Sequence, residues 1–254
     1  MDFIEALKDR NALLFWFGVV NLLAAVVLLL ASYLKPVEFQ NTSAWHKPIK
    51  FALSTAILSI SLAWYQGYLP VGKGLSVANW VIVVPLAFEV VYIAWQAARG
   101  EASHYNQSSP FYSFMFSMMA LAATIATIAI GYIGGQFFMA PLDGVPNHYV
   151  WAIRLGFILF VIFSFEGFVM GAHMSHTVGA PDGGKGLPFL NWSIRHGDLR
   201  IAHFVGMRAL QVLPILAWYL LKNTALTLTV AIGYALLAGF ILMMALRGQA
   251  LLKV

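Results

Sequence analysis

The chain has 254 residues, 61% hydrophobic and 10% charged, with no cysteine and a formal net charge of +5. A mean hydropathy of +0.79, with far fewer charges than the roughly 25% of a soluble domain, excludes a soluble globular fold and predicts an integral membrane protein. The missing cysteines exclude disulfides, iron–sulfur clusters and thiolate-held zinc, and the basic residues stand singly, as membrane-flanking anchors do and nucleic-acid patches do not.

The N-terminal MDFIEALKDR carries both charge signs. The apolar run after it is too long for a signal-peptide core and lacks a small-residue cleavage site, so it reads as the first span. Because a bilayer core takes roughly 20 apolar residues as helix, seven spans are predicted: Leu13 to Leu34, Ile49 to Tyr68, Val77 to Ala98, Phe111 to Phe137, His148 to Ala172, Ile201 to Leu221 and Ala225 to Leu246. The expected fold is all-α, an integral membrane bundle of seven transmembrane helices forming one domain over residues 1–254. Most connections are short. The exception is a polar, Gly/Pro-rich loop at about residues 173–200, containing MSHTVGAPDGGKGLPFLNWSIRHGDLR, which is expected to be irregular and to carry function.

Counting Lys and Arg by side gives five on the N-terminal side (Lys8, Arg10, Lys73, Arg154, Lys222) and nine on the other (Lys35, Lys47, Lys50, Arg99, Lys185, Arg195, Arg200, Arg247, Lys253), with Arg208 inside a span. The positive-inside rule then puts the C-terminus in the cytoplasm and the N-terminus outside a cell membrane. Six of the seven His (His46, His104, His173, His176, His196, His203) fall at the nine-charge side, and His148 alone at the other.

Three spans carry polar stripes. Glu89, Tyr92, Gln96 and Arg99 recur at spacings of 3, 4 and 3 in the third span; Glu166, His173 and His176 follow in the fifth; Arg200, His203, Met207 and Gln211 share a face of the sixth, with Arg208 beside it. Such spacings place each set on one side of a helix. An intramembrane charge costs at least about 2.5–3.5 kcal/mol, so these residues are expected to face the bundle interior or a water-filled cavity. Single residues of this kind often serve only as helix–helix pairs, but three stripes rising to one surface point to a site. Glu89, Glu166, His203 and Gln211 are expected to face one shared cavity.

A zinc or iron site needs three or more N/O ligands from different elements. His104, His176 and His203, with His173 as a further candidate and Asp198 or Glu89 nearby, could supply them, and Asp198 could fix the His203 tautomer or share the metal. No HExxH box and no repeated HxxxH or HxxHH box is present. His46, between Trp45 and Lys47, and His148 read as interfacial residues. In the loop, Gly179, Gly183, Gly184 and Gly186 could let the backbone approach a ligand or form a tight re-entrant turn, while Lys185, Arg195 and Arg200 could hold phosphate or carboxylate. It is not a Walker loop.

AWHKPIKFALS, QAARGEASHYN, HTVGAPDGGKGLP, NWS and GDLRIAHFVGMRALQ, spread over Trp45 to Gln211, resemble a family of small multi-pass bacterial membrane proteins with no assigned activity. The resemblance implies a common polar site on Glu89, Gln96, Arg99, His104, Asn106, His176, Asp182, Asp198, Arg200, His203 and Gln211. The chain departs from the pattern at Arg208, where similar proteins often carry His. HGDLRIAHFVGMRALQ then reads as a sixth helix entering the membrane with a site-forming face. Asp198 suits the positive end of its dipole, and a ring nitrogen of His203 is left to bind a metal or accept a proton.

These readings favour a membrane enzyme open at the cytoplasmic interface. Glu89, Glu166 and Asp198 are its catalytic candidates, and Gln96, Arg99, Asn106, Asp182, Arg200, Arg208 and Gln211 would bind a lipid-like or isoprenoid substrate. The metal would activate water or oxygen; a metal-free variant would use Glu89 as general acid. Membrane lipids are the expected surroundings and no nucleic-acid partner is expected. A b-type haem protein with axial His173 or His176 and His203 is one alternative, Met170 and Met207 being other ligands. Others are a proton-coupled transporter using Glu89, Glu166 and Arg208 as a relay, and a structural subunit. A through-path finds little support in the nearly uncharged outer half, and a retinal protein even less, because Ala225 to Leu246 contains no Lys.

Overall fold

The structure is a computed structural model and describes residues 2–251, so Lys253 of the charge count lies outside the described residues. Seven helices are long and apolar enough to cross a membrane. They start with α2 (Ala12–Leu34), α3 (His46–Gln66), α4 (Lys73–Arg99) and α5 (Pro110–Met139). A broken helix follows, α6 (Asn147–Phe165) with α7 (Gly167–His173); then α8 (Leu199–Leu216), continued by a π-helical turn Ala217–Leu221, and α9 (Thr224–Leu246). A short α1 (Phe3–Arg10) precedes them. The all-α bundle of seven spans is thus present. Where a polar cap exists it sets the helix start: Asn11 accepts from the Leu14 N–H and Asn223 from the Leu226 N–H, each satisfying a donor the first turn leaves over.

The chain divides into two compact units, Met1–Ala129 and Ile130–Val254. In the first, α2, α3 and α4 pack around Ala25, Leu28, Trp45, Ile49, Ala52, Val90 and Ala97, and a two-residue hairpin, β1 (Glu38–Phe39) with β2 (Thr42–Ser43), joins α2 to α3. A buried amide cluster ties the helix ends. Asn11 Nδ2 and Asn79 Nδ2 both donate to Gln66 Oε1 at 3.1 Å, and Gln66 Nε2 donates to Asn79 Oδ1 at 2.7 Å.

In the second unit, α6, α8 and α9 surround Ala152, Leu159, Phe163, Ala202, Ala209, Leu213, Ala238 and Ile241. Glycines bring α6 and α8 close: a Cβ on Gly156 would lie 2.9 Å from Leu210 Cα, and one on Gly206 would overlap the Phe163 side chain, as in the small-residue seams of membrane helices. The loop expected to be irregular is ordered locally. β3 (Thr177–Val178) pairs antiparallel with β4 (Gly197–Asp198), and Gly186 bridges Ser193. Gly179 and Gly183 adopt φ of +93° and +92°, a region that side chains rarely enter.

Candidate functional site

In the second unit, α6 stops at Phe165, Glu166 occupies the junction, and α7 begins at Gly167. The Glu166 side chain is 3% exposed, and its Oε2 lies 3.2 Å from His203 Nδ1 on α8. That distance suits an ion pair, yet alignment is poor: among the described residues, neither carboxylate oxygen, nor His203 Nδ1, nor Ser164 Oγ has a hydrogen-bond partner, although all are buried. The His203 side chain is 26% exposed. Because Nδ1 itself is enclosed, the exposure belongs to the rest of the side chain. Gly167 flanks the ring, since a Cβ there would come within 3.6 Å of His203 Cε1.

Glu166 and His203 therefore meet, as expected of inward-facing residues, but the acid beside His203 is Glu166 and not Asp198. Asp198 caps α8 and is consumed locally. Its oxygens accept from Arg200 N (3.1 Å), Nε (2.9 Å) and Nη2 (2.6 Å) and from Ser193 N (2.8 Å). Arg200 Nη2 also donates to the Asn191 carbonyl, so this guanidinium clamps the loop. Arg208 lies over the Phe204 ring at 5.1 Å, its Nη1 3.5 Å from Gln211 Oε1.

The Glu166–His173–His176 stripe is interrupted for a backbone reason. Met174 turns left-handed (φ +50°) after His173 and ends α7, so His176 leaves the helix. His173 is exposed and its Nδ1 donates to the Val169 carbonyl at 2.8 Å. His176 instead pairs with Asp182, Nδ1 to Oδ2 at 2.8 Å. Asp182 also accepts from Ser175 Oγ (3.0 Å) and from the backbone N–H of His176 (3.0 Å) and Thr177 (2.9 Å). Burial alone would raise the Asp182 carboxyl, but these donors outweigh it and hold the group well below the ordinary carboxylate range. A carboxylate on Nδ1 also fixes the His176 tautomer, with the lone pair on Nε2.

In the first unit, Glu89, Tyr92 and Gln96 form the expected stripe and are 6%, 4% and 0% exposed, whereas Arg99 is exposed. Arg99 lies over Trp95 at 4.7 Å and donates to Tyr112 Oη at 3.0 Å. Gln96 Nε2 and Asn106 Nδ2 both donate to the Ala102 carbonyl, organising the turn that carries His104. His104 Nδ1 lies 3.1 Å from Ser103 Oγ, among the rings of Phe51, Tyr105 and Phe116. Sequence reasoning did not single out the Asn11–Gln66–Asn79 cluster or Ser164. Gln66 and Asn79 were visible as amides at the edges of apolar runs, but neutral amides lack the insertion cost that marks a charge.

Among the described residues, no three His, Asp or Glu side chains gather in a group able to hold a metal ion. No family model, curated protein or solved structure matches the chain. The seven apolar helices define a multi-pass integral membrane protein.

Proposed function

We propose that the protein is a membrane-embedded enzyme acting on a lipid-like or isoprenoid molecule by acid–base chemistry at Glu166 and His203. The observation that carries this reading is a buried carboxylate and imidazole nitrogen, 3.2 Å apart, with no hydrogen bond from the described residues on Oε1, Oε2 or Nδ1. Such an arrangement is costly for stability. A carboxylate oxygen and Nδ1 can hydrogen-bond only through a proton carried by one of them, so a proton between the two is what would close this contact. Glu166 would give a proton to the substrate, or take one from it, and His203, which reaches the surface, would exchange protons with the outside. The apolar outer faces of the helices supply the approach for a substrate from the bilayer. In this reading the protein sits in the cell membrane with its N-terminus outside and its C-terminus in the cytoplasm, as the charge asymmetry favours.

The pair offers too few ligands for a zinc or iron site by itself, so no step is assigned to a metal. The test uses purified protein in lipid nanodiscs supplied with a membrane-lipid extract, the products being followed by mass spectrometry. The expected result is conversion of one lipid class by the wild type and a loss of at least about 100-fold with Glu166→Gln, the scale of general acid–base catalysis. Equal product from the two proteins, or none from the wild type, overturns the reading.

A further inference from the structure

At the end of the second unit opposite the β3–β4 loop lies a cavity of about 300 Å³, lined by Pro146 and His148 at the start of α6 and by Trp218 and Lys222 at the end of α8. The backbone here departs from a plain α-helix. The Lys222 N–H reaches back five residues to the Ala217 carbonyl at 3.1 Å, which makes the last turn π-helical, and Lys222 itself turns left-handed (φ +45°) and stops the helix. Such π turns are rare and recur at functional sites. Trp218 and Lys222, four residues apart, stand on one side of the turn. The Trp218 ring packs edge-on against Tyr149 of α6 with centroids 5.0 Å apart, which joins that side of the turn to the first turn of α6.

The chemistry of the lining is one-sided. Its polar groups are the Lys222 ammonium, the His148 imidazole and the Trp218 indole N–H, all able to donate, and no described lining residue is acidic. The positive end of the α6 dipole adds to the same field. A second cation is disfavoured beside Lys222, whereas a phosphate offers several acceptor oxygens to an ammonium and to ring N–H groups. The position is that of a lipid headgroup. Lys222 follows the span Leu199–Leu221 and His148 is the second residue of the span Asn147–His173, so both spans leave the apolar layer here, where Trp is enriched. Ile215, Tyr219 and Leu220 on the same end of α8 are exposed and provide apolar surface for acyl chains. A volume at the lower end of ligand pockets, roughly 300–1,000 Å³, suits a headgroup rather than a large molecule.

We propose that this cavity binds the phosphate of an anionic phospholipid headgroup, with Lys222 and His148 donating to the phosphate oxygens, Trp218 packing beside the glycerol, and the acyl chains lying along the exposed end of α8. The site is separate from Glu166 and His203 and does not depend on their acid–base reading. A free phosphate ion shares the recognised chemistry; the exposed apolar surface beside the cavity favours the lipid as its carrier.

The experiment follows the thermal melting of the full-length protein in neutral-detergent micelles with dihexanoyl phosphatidylglycerol, sodium phosphate, monohexanoyl glycerol or sodium chloride. The expected result is a saturable rise in melting temperature with the phosphatidylglycerol, at a lower concentration than with sodium phosphate. Its half-saturating concentration should increase about tenfold or more in Lys222→Gln, as for loss of a charge-assisted hydrogen bond. Should that variant fail to fold, His148→Ala should weaken the response a few-fold. Equal responses to the phosphatidylglycerol and to sodium phosphate, both weakened in Lys222→Gln, support the phosphate site and assign it to the free ion. A like response to monohexanoyl glycerol means apolar partitioning, and a like response to sodium chloride means a non-specific salt effect. Either of these, or a response unchanged in both variants, overturns the site.

Discussion

The second unit holds the same chemical pair twice in opposite settings. Asp182 and His176 lie in the loop, and the carboxylate there accepts from a hydroxyl, a ring nitrogen and two backbone N–H groups. Glu166 and His203 lie within the spans, and the carboxylate there accepts no hydrogen bond from the described residues. A satisfied carboxylate positions the groups around it; an unsatisfied one is a cost the fold carries, and such costs cluster where a protein does chemistry. On the acid–base reading proposed above, the difference separates a positioning role for Asp182 from a proton-handling role for Glu166.

The largest expected effect is at the satisfied pair. Asp182→Asn removes the charge that four donors share, and hydrogen bonds to a charged group contribute about 1.5–3 kcal/mol each. The β3–β4 loop should therefore lose at least about 2 kcal/mol of local protection, read by hydrogen exchange over residues 174–198. The pH dependence has a definite sign. Because the folded Asp182 carboxyl is held below its ordinary value, its stabilisation is fully present above about pH 4 and is lost as pH falls through the depressed folded value. Loop protection that faded already between pH 7 and pH 5 would contradict this account.

The next effect tests how the unsatisfied pair is held. A Cβ on Gly206 would overlap Cβ and Cγ of Phe163, atoms near the backbone of α6 that cannot swing away. Gly206→Ala should force α6 and α8 apart and cost about 1–3 kcal/mol, as overpacking does, seen as a lower melting temperature. Phe163 is three residues before Glu166, so the same change should also reduce turnover in the lipid assay. Unchanged melting would show that the α6–α8 seam is looser than described.

Much of this fold was legible in the sequence, and the site less so, for physical reasons visible at single residues. Span positions follow from apolar run length, which is why Ala12–Leu34 and Thr224–Leu246 lie within a residue of the predicted starts. The Glu89–Tyr92–Gln96 face was legible because α4 runs unbroken through it. Helical phase fails at a break. Glu166 at the α6–α7 junction and Met174 with positive φ reset the geometry, so the spacing that joined Glu166 to His176 no longer applied. Asp198 misled through nearness in sequence to His203, while Arg200, nearer still, took its charge. The β3–β4 pairing joins residues about twenty apart, and no local pattern signals it.

The smallest expected effect is also the most discriminating. Removing one partner of a buried ion pair ordinarily costs about 3–5 kcal/mol, because it strands the other charge. Glu166 differs from that case in one respect: its oxygens accept nothing, so Glu166→Gln forfeits no formed hydrogen bond and removes an ionisable group from a dry site. The amide can also donate to His203 Nδ1, a bond the carboxylate cannot make without a proton. Glu166→Gln should therefore leave the free energy of unfolding within about 1 kcal/mol of the wild type, or raise it, the stability–function trade-off of a strained site. Denaturant unfolding in micelles measures this beside the same change at the satisfied pair, Asp182→Asn. A loss at Glu166→Gln as large as at Asp182→Asn would show that the two pairs do the same structural work, and the contrast on which the acid–base reading stands would be gone.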